Sequence, residues 1–211
     1  MIEKVIFEDP RQVTERLSKF GVTKKELQSI ALEAISARND ATPFHPINAP
    51  GTFSYHAGVA ASRMLFVQKN AGWEIGRPNG IEAVVNKALN LTVVFQNVDR
   101  ACGIHGPKAI SEKREGSRKL VENTTRFLWD HMEKEAKQDK NQNVWFLCVS
   151  CNGDEVKMEL SLPVSITDGQ FSSFKERIFI ITDNDWLPEN NDTDDLTIEG
   201  QDFDIKVTRK A

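Results

Sequence analysis

Polar and charged side chains that could hold a ligand collect in the segment 51–107. Asn97 and Asp99 stand at the end of the apolar run 91–98, and the carboxyl end of such a strand is where layered α/β proteins usually bind ligands. One hypothesis is therefore an enzyme or small-ligand binder with a pocket at the end of strand 91–98. The side chains that would form this pocket are Tyr55, His56, Arg63, Arg77, Asn97, Asp99 and His105.

A second group of candidates lies in the basic loop 108–119, within a chain of 211 residues whose net charge is -4. That overall charge argues against general coating of nucleic acid, which requires an excess of cations. A solvated loop is the simpler interpretation, and contact with an anion or a nucleic acid is the alternative. The residues that would make such contact are Lys108, Lys113, Arg114, Arg118 and Lys119.

Two close pairs of soft ligands, Cys102 with His105 and Cys148 with Cys151, have the spacing of a structural zinc site. The hairpin predicted below argues against this site, because it places Cys148 inside a strand and Cys151 at a turn. We therefore predict no metal and no other cofactor, and we leave open whether these four side chains converge.

The patterns of familiar enzymes are incomplete in this sequence. A restriction-type nuclease would use Glu82 and Asp99, but Gln96 is followed by Asn97 and Val98 where a lysine is needed. The nucleophile elbow, the phosphate loop and the dinucleotide fingerprint are also missing. Glu82 follows Asn79 at the spacing of a helix capping box, which favours a structural role over a catalytic one.

The elements that must position these residues begin with helices. Pro10 and the capping box of Thr23 and Glu26 predict a helical hairpin over 10–38. A proline-rich connector, 39–50, should be extended and held to the body by Phe44, His45 and Ile47. Further helices are predicted over 54–68, 79–89 and 117–137, with His131 at the edge of the last apolar stripe.

The second half of the chain is predominantly β in pattern. Asn152-Gly153 between two alternating runs predicts a hairpin over 144–162. Its expected pairs are 149 with 156, 147 with 158 and 145 with 160, and Glu155, Lys157 and Glu159 should face outward. Another strand is predicted over 174–182, after a Thr-Asp-Gly turn.

Together these elements predict an α+β protein with an N-terminal helical hairpin, central helices around a buried strand, and a C-terminal antiparallel β-sheet. We divide the chain into residues 1–40 and 41–211, which can also form one continuous domain. Three cysteines, a leader-free N-terminus and the lack of an apolar run of about 20 residues predict a cytoplasmic protein without membrane contact. The oligomeric state is open.

Three segments, GTFSYHAGVAASR, GRPNGIEAVVNKALNLTVVFQNVDRAC and LSLPVSITDGQFSSFKERIFII, resemble uncharacterised proteins carried by bacteriophages and prophages. The resemblance implies a bacterial or phage origin and transfers no catalytic residue. With the acidic segment 183–204, it leads to our first hypothesis, a non-enzymatic phage or mobile-element protein that binds a host or phage macromolecule as a regulator or counter-defence factor. The expected partner is a protein, with nucleic acid as an alternative.

Overall fold

The computed structural model describes residues 5–126 and 143–182. The second half of the helix predicted over 117–137, including His131, lies outside the described residues. So does the acidic segment 183–204. The described part of the chain contains four α-helices and a mixed seven-stranded sheet, which confirms the predicted α+β class.

The sheet has the strand order β1-β7-β6-β5-β4-β3-β2. Its neighbours are parallel in the pairs β1 with β7 and β4 with β5, and antiparallel elsewhere. The strands are β1 (Val5–Phe7), β2 (Trp73–Gly76), β3 (Ala83–Asn86), β4 (Leu91–Asn97), β5 (Asn143–Asn152), β6 (Glu155–Thr167) and β7 (Gln170–Ile181). The predicted buried strand, β4, therefore has β5 on one side and β3 on the other.

Three helices cover one face of this sheet. They are α1 (Pro10–Ser18), α2 (Lys24–Asn39) and α3 (Ala49–Gln68), and their apolar side chains share one core with β4, β5, β6 and β7. The predicted capping box that starts α2 is confirmed, because Thr23 Oγ1 accepts from the Glu26 amide while the Glu26 carboxylate accepts from the Thr23 amide. Local sequence is sufficient here because both partners lie within one turn.

The opposite face carries a second core, which is covered by α4 (Glu115–Arg126) and the loop between β4 and α4. Phe146 from β5 and Phe171 and Phe174 from β7 form the aromatic part of this core. None of the helices in the ranges 5–126 and 143–182 is long and apolar enough to cross a membrane.

Helix α3 begins at Ala49, inside the segment predicted as an extended connector, because Pro50 is tolerated in the first turn of a helix. The expectation that Phe44 and Ile47 hold the connector to the body is wrong, whereas His45 does contact α3, with its ring edge-on to that of Phe53 at 5.2 Å. All three are exposed, Phe44 at 99% and Ile47 at 101%. Turns place the segment at the surface, where His45 Nδ1 accepts from the Thr42 amide at 3.0 Å.

The prediction of a helix over 79–89 is also wrong, since this segment contains β3 and the turns that flank it. Asn79 and Gly80 have φ of 52° and 79°, in the left-handed region, so the chain reverses direction after Pro78 instead of starting an α-helix. The β-branched Val84 and Val85 then pair with β4. The apparent capping box was a coincidence of spacing, and Glu82 caps no helix.

The hairpin of β5 and β6 confirms the predicted apolar face but shifts its register by two residues. Val149 pairs with Met158 instead of Val156, because the turn is made by Gly153 and Asp154. A shift of two preserves the face of every side chain. Glu159 nevertheless departs from the predicted outward position, since β7 and the loop 98–110 cover it completely.

Candidate ligand-binding cleft

A cleft of about 600 Å³ opens where β4 extends past its short neighbour. Strand β3 pairs only with residues 91–93 of β4. Of the seven described strands, only β5 pairs with residues 94–97. Side chains from both faces of β4 reach the cleft at this edge. Its other walls are the first turns of α3, the turn 79–81, the loop 110–114 and the start of α4.

Asn97 and Gln96 form the floor of the cleft at the end of β4. Asn97 binds the first turns of α3, since its Nδ2 donates to the Gly51 carbonyl at 2.9 Å and its Oδ1 accepts from Ser54 Oγ at 3.1 Å. Gln96 lies on the opposite face, where its Oε1 accepts a hydrogen bond from Lys113 Nζ. The two adjacent amides therefore join α3 and the loop 110–114 to the same strand end.

Lys113 is a partly buried cation at this cleft with no acidic partner among the described residues. Its Nζ lies 5.3 Å from the ring centroid of Phe146 and 5.4 Å from that of Phe171. Desolvation by these apolar surroundings lowers the pKa of Lys113 to about 8. Its backbone amide donates to the Gly169 carbonyl at 2.8 Å, which fixes the residue against the turn between β6 and β7.

Tyr55 and Arg114 are two further polar residues that line the cleft. Burial raises the pKa of Tyr55, so its hydroxyl keeps its proton and can donate a hydrogen bond. Arg114 is exposed on the cleft wall beside Lys113, and Glu112 is the acidic residue of the same wall. Ile81 and Phe95 supply apolar surface between these polar groups.

The seven side chains predicted to share a pocket do not all converge. Tyr55 and Asn97 line the cleft, whereas Arg63 and Arg77 are engaged by Glu82. Arg77 Nε lies 2.6 Å from Glu82 Oε1, and hydrogen bonding from Arg63 with the charge of both arginines lowers the pKa of Glu82. This trio is near enough to Tyr55 to influence its titration, but it does not line the cleft.

The remaining three predicted residues lie elsewhere. Asp99 closes the following loop, because its Oδ1 accepts from the amides of Arg100 at 2.6 Å and Lys108 at 2.8 Å. His105 is exposed within that loop, and His56 is exposed on α3 with its ring 6.0 Å from that of Tyr55. Asp99 is therefore a loop-closing residue at the strand end instead of a wall of the cleft.

The basic loop 108–119 is divided by the structure. Lys113 and Arg114 line the cleft, and Lys108 is exposed. Arg118 lies 2.8 Å from a Glu115 oxygen and Lys119 lies 3.7 Å from the other, within the first turns of α4. The proposed contact with nucleic acid stays a prediction.

The cysteines do not form a metal site in the described ranges, where no group of three or more His, Cys, Asp or Glu side chains could hold a metal ion. Cys102, Cys148 and Cys151 are free thiols. Cys102 Sγ donates to the Met158 carbonyl at 3.1 Å, and burial raises the pKa of both Cys102 and Cys148. These two thiols are therefore packing groups that stay protonated at neutral pH.

A closed network of buried charge lies on the same face of the sheet as Lys113. Arg177 donates to both oxygens of Glu159, at 2.8 and 2.5 Å, and to the Gly103 carbonyl at 2.8 Å. Glu159 also accepts from Ser161 Oγ at 2.6 Å and the Cys102 amide at 2.5 Å. Both charged side chains are fully buried, and together they hold the loop 98–110 on the sheet.

Sequence reasoning missed two features of the site, the partnership of Gln96 with Lys113 and the buried pair of Glu159 and Arg177. Gln96 beside Asn97 at a strand end was the available signal for the first. The alternation of the hairpin concealed the second, because it assigned Glu159 to solvent. Comparison with family models, curated protein sequences and solved structures finds no match to this chain.

Proposed function

We propose that this chain is a small-ligand-binding protein whose cleft at the end of β4 holds a molecule with an anionic group. The observation that supports this proposal is Lys113, a cation at the cleft whose hydrogen-bonding partner is the neutral oxygen of Gln96. Buried charges in proteins are usually paired. A bound anion would supply the pairing that this amine lacks in the described residues.

The surroundings of Lys113 support the sign of the ligand's charge. The cleft wall carries Lys113 and Arg114 against the one acidic side chain of Glu112. The first turn of α4 also borders the cleft, and the positive end of a helix dipole favours an anion. Apolar contact from Ile81 and Phe95 suits the carbon skeleton of a small organic acid.

The position of the cleft supports the same function. Strands β4 and β5 are parallel, and the chain passes from the end of β4 through the loop 98–114 into α4 before it returns as β5. In α/β structures the carboxyl end of such a strand and the helix that follows it commonly form the ligand site.

Titration of the ¹⁵N-labelled chain with pyruvate, lactate or inorganic phosphate, followed by NMR, tests this proposal. We expect saturable shifts of the side-chain amide signals of Gln96 and Asn97. Arg114→Ala should weaken binding by about tenfold, the effect of losing one charge-assisted hydrogen bond. Lys119→Ala is the matched control, because Lys119 is exposed and pairs within α4. Absence of any shift at Gln96 and Asn97 with all three ligands would contradict the proposal.

The second candidate function is binding of a host or phage macromolecule, which the exposure of Phe44 and Ile47 favours. Phe44 directly follows Pro43 and Ile47 directly follows Pro46, and exposed apolar residues of this kind commonly serve as anchors at protein interfaces. We expect Phe44→Ser with Ile47→Ser to reduce capture of a protein from bacterial lysate at least about tenfold. Ile104→Ser is the matched control, since Ile104 is also exposed, at 89%. If the Phe44/Ile47 variant and the Ile104 variant lose capture equally, the binding is nonspecific and this candidate function is excluded.

A further inference from the structure

The Lys113 amine differs from its neighbours Arg118 and Lys119 in the kind of group that surrounds it. Arg118 and Lys119 lie beside the carboxylate of Glu115 and are exposed. Lys113 Nζ contacts the amide oxygen of Gln96 and the faces of Phe146 and Phe171. Its contacts therefore include one hydrogen-bond acceptor, which is neutral, and two aromatic rings.

These surroundings lower the pKa of the amine, so that a minority of Lys113 is neutral at pH 7 while the ammonium form predominates. An ammonium group in apolar surroundings loses the favourable free energy of hydration. A hydrogen bond to a neutral amide oxygen compensates for less of this loss than an ion pair with a carboxylate would. With a pKa of about 8 instead of 10.5, the neutral fraction of Lys113 at pH 7 is larger by roughly two to three hundredfold. A neutral amine has a free electron pair and is a nucleophile.

The groups beside this amine suit a carbonyl compound that also carries an acid group. Lys113 and Arg114 line the same cleft, so a single small ligand can present a carbonyl to the amine and a carboxylate to the guanidinium. The Tyr55 hydroxyl on the facing wall keeps its proton, because burial raises its pKa. Tyr55 therefore adds a protonated hydroxyl to the lining of the cleft, and a protonated hydroxyl is the kind of group that can donate to a carbonyl oxygen.

We propose that the cleft binds a small 2-oxo acid and that Lys113 Nζ attacks its carbonyl carbon to form an imine. The inference rests on the proposed function, since it requires a ligand in the same cleft. In this step a carbon–nitrogen bond forms, the two hydrogens of the neutral amine leave with the carbonyl oxygen as water, and no group is oxidised or reduced.

Several charged or titratable groups surround the amine and bear on its pH dependence. Cys148 contributes from β5, Asp168 from the turn between β6 and β7, and Arg118 from α4. Glu112 and Arg114 lie on its own loop. Cys148 stays protonated because burial raises its pKa, so the first change of charge expected as pH rises from 6 to 9 is that of Lys113 itself.

Borohydride trapping of the full chain with pyruvate tests the inference. Hydride reduces the imine to a secondary amine, so the protein gains the mass of pyruvate less one oxygen atom. Peptide mapping should place the adduct on Lys113, with trapping at least about tenfold faster there than at Lys119 and increasing from pH 6 to 8. Lys113→Arg should abolish the adduct, whereas Lys119→Arg should leave it unchanged.

The outcomes separate this inference from the proposed function. Lactate has a hydroxyl in place of the carbonyl, so it should shift the NMR signals of Gln96 and Asn97 without giving an adduct. If pyruvate and lactate both bind but no adduct maps to Lys113, the imine is excluded and the ligand-binding proposal stands. If neither pyruvate nor lactate binds, the imine is excluded, and if inorganic phosphate also fails to bind, the ligand-binding proposal fails with it. An adduct spread evenly over all lysines also overturns the inference, and mapping on the wild-type chain decides this even if Lys113→Arg does not fold.

Discussion

Arg177 and Lys113 are two cations on the same face of the sheet, and they differ in how completely they are paired. Arg177 is fully buried, bound twice to Glu159 and once to the Gly103 carbonyl. Lys113 is partly buried, bound to one neutral oxygen and open to a cleft. The chain itself supplies every partner of the Arg177 charge, whereas Lys113 has an incompletely paired charge beside a cavity, which is the feature on which our ligand-binding proposal rests.

The largest effect is expected when the guanidinium is removed from the closed network, which tests whether the paired charge stabilises the fold. Arg177→Met leaves Glu159 buried without its counter-charge, so we expect a loss of about 3–5 kcal/mol in the free energy of unfolding. Urea denaturation followed by circular dichroism measures this loss.

The control for this prediction replaces both members of the pair. Arg177→Met with Glu159→Leu removes both charges, and we expect it to lose less stability than Arg177→Met alone. A single variant that loses under about 1 kcal/mol, or a double variant that is worse than the single one, would mean that pairing does not explain the burial of this cluster.

Lys113→Met should change the free energy of unfolding by less than Arg177→Met does, and at neutral pH it should increase stability. The pKa of Lys113 is lowered on folding from 10.5 to about 8, so charge at this site opposes folding below pH 8. We expect the variant to be more stable than the wild type by about 1–3 kcal/mol at pH 7, after discounting for partial exposure.

The pH dependence provides an independent check on Lys113. Between pH 8 and 10.5 the unfolded chain binds more protons at this residue than the folded chain, so the wild type should gain stability relative to the variant as pH rises. Urea midpoints at pH 7 and pH 10 measure the change. A Lys113→Met protein that is less stable than the wild type at pH 7 would contradict the prediction.

The smallest effect is expected at Glu82, which pairs with Arg63 and Arg77 on partly exposed surface. Glu82→Gln should cost about 0.2–1 kcal/mol at pH 7, as is usual for exposed ion pairs. Pairing lowers the pKa of Glu82 below 4.5, so its contribution is present above that pH and disappears as pH falls through the folded value. Thermal unfolding should show a smaller difference from wild type at pH 3 than at pH 7. An equal difference at both values would indicate that packing, not charge, is responsible.

The sequence was most informative where partners are neighbours in the chain. The capping box of Thr23 and Glu26 and the strand expected over 91–98, observed as Leu91–Asn97, were predicted because their signals are local. The pair of Asn79 and Glu82 shows the limit of that reasoning, since the same spacing occurs in a turn with left-handed φ. Local pattern does not distinguish the two without the strands that Val84 and Val85 join.

The candidate site was predicted only in part, for a related reason. Asn97 and Tyr55 were expected at the strand end and are found there. The surroundings of Lys113 depend on Phe146 and Phe171, which arrive from β5 and β7 and are more than thirty residues away in sequence. Burial of Glu159 likewise depends on Arg177 in the neighbouring strand. The residue pattern of a single segment does not predict such long-range packing.

The contact between Gly58 and Phe95 has a mechanical consequence for the cleft. A Cβ at Gly58 would overlap the Phe95 ring, so α3 and β4 approach as closely as backbone and ring allow. Asn97 adds two hydrogen bonds between the same elements. The position of α3 relative to β4 therefore sets the width of the cleft on that side, and a larger residue at position 58 would widen it by pushing the helix away from the strand.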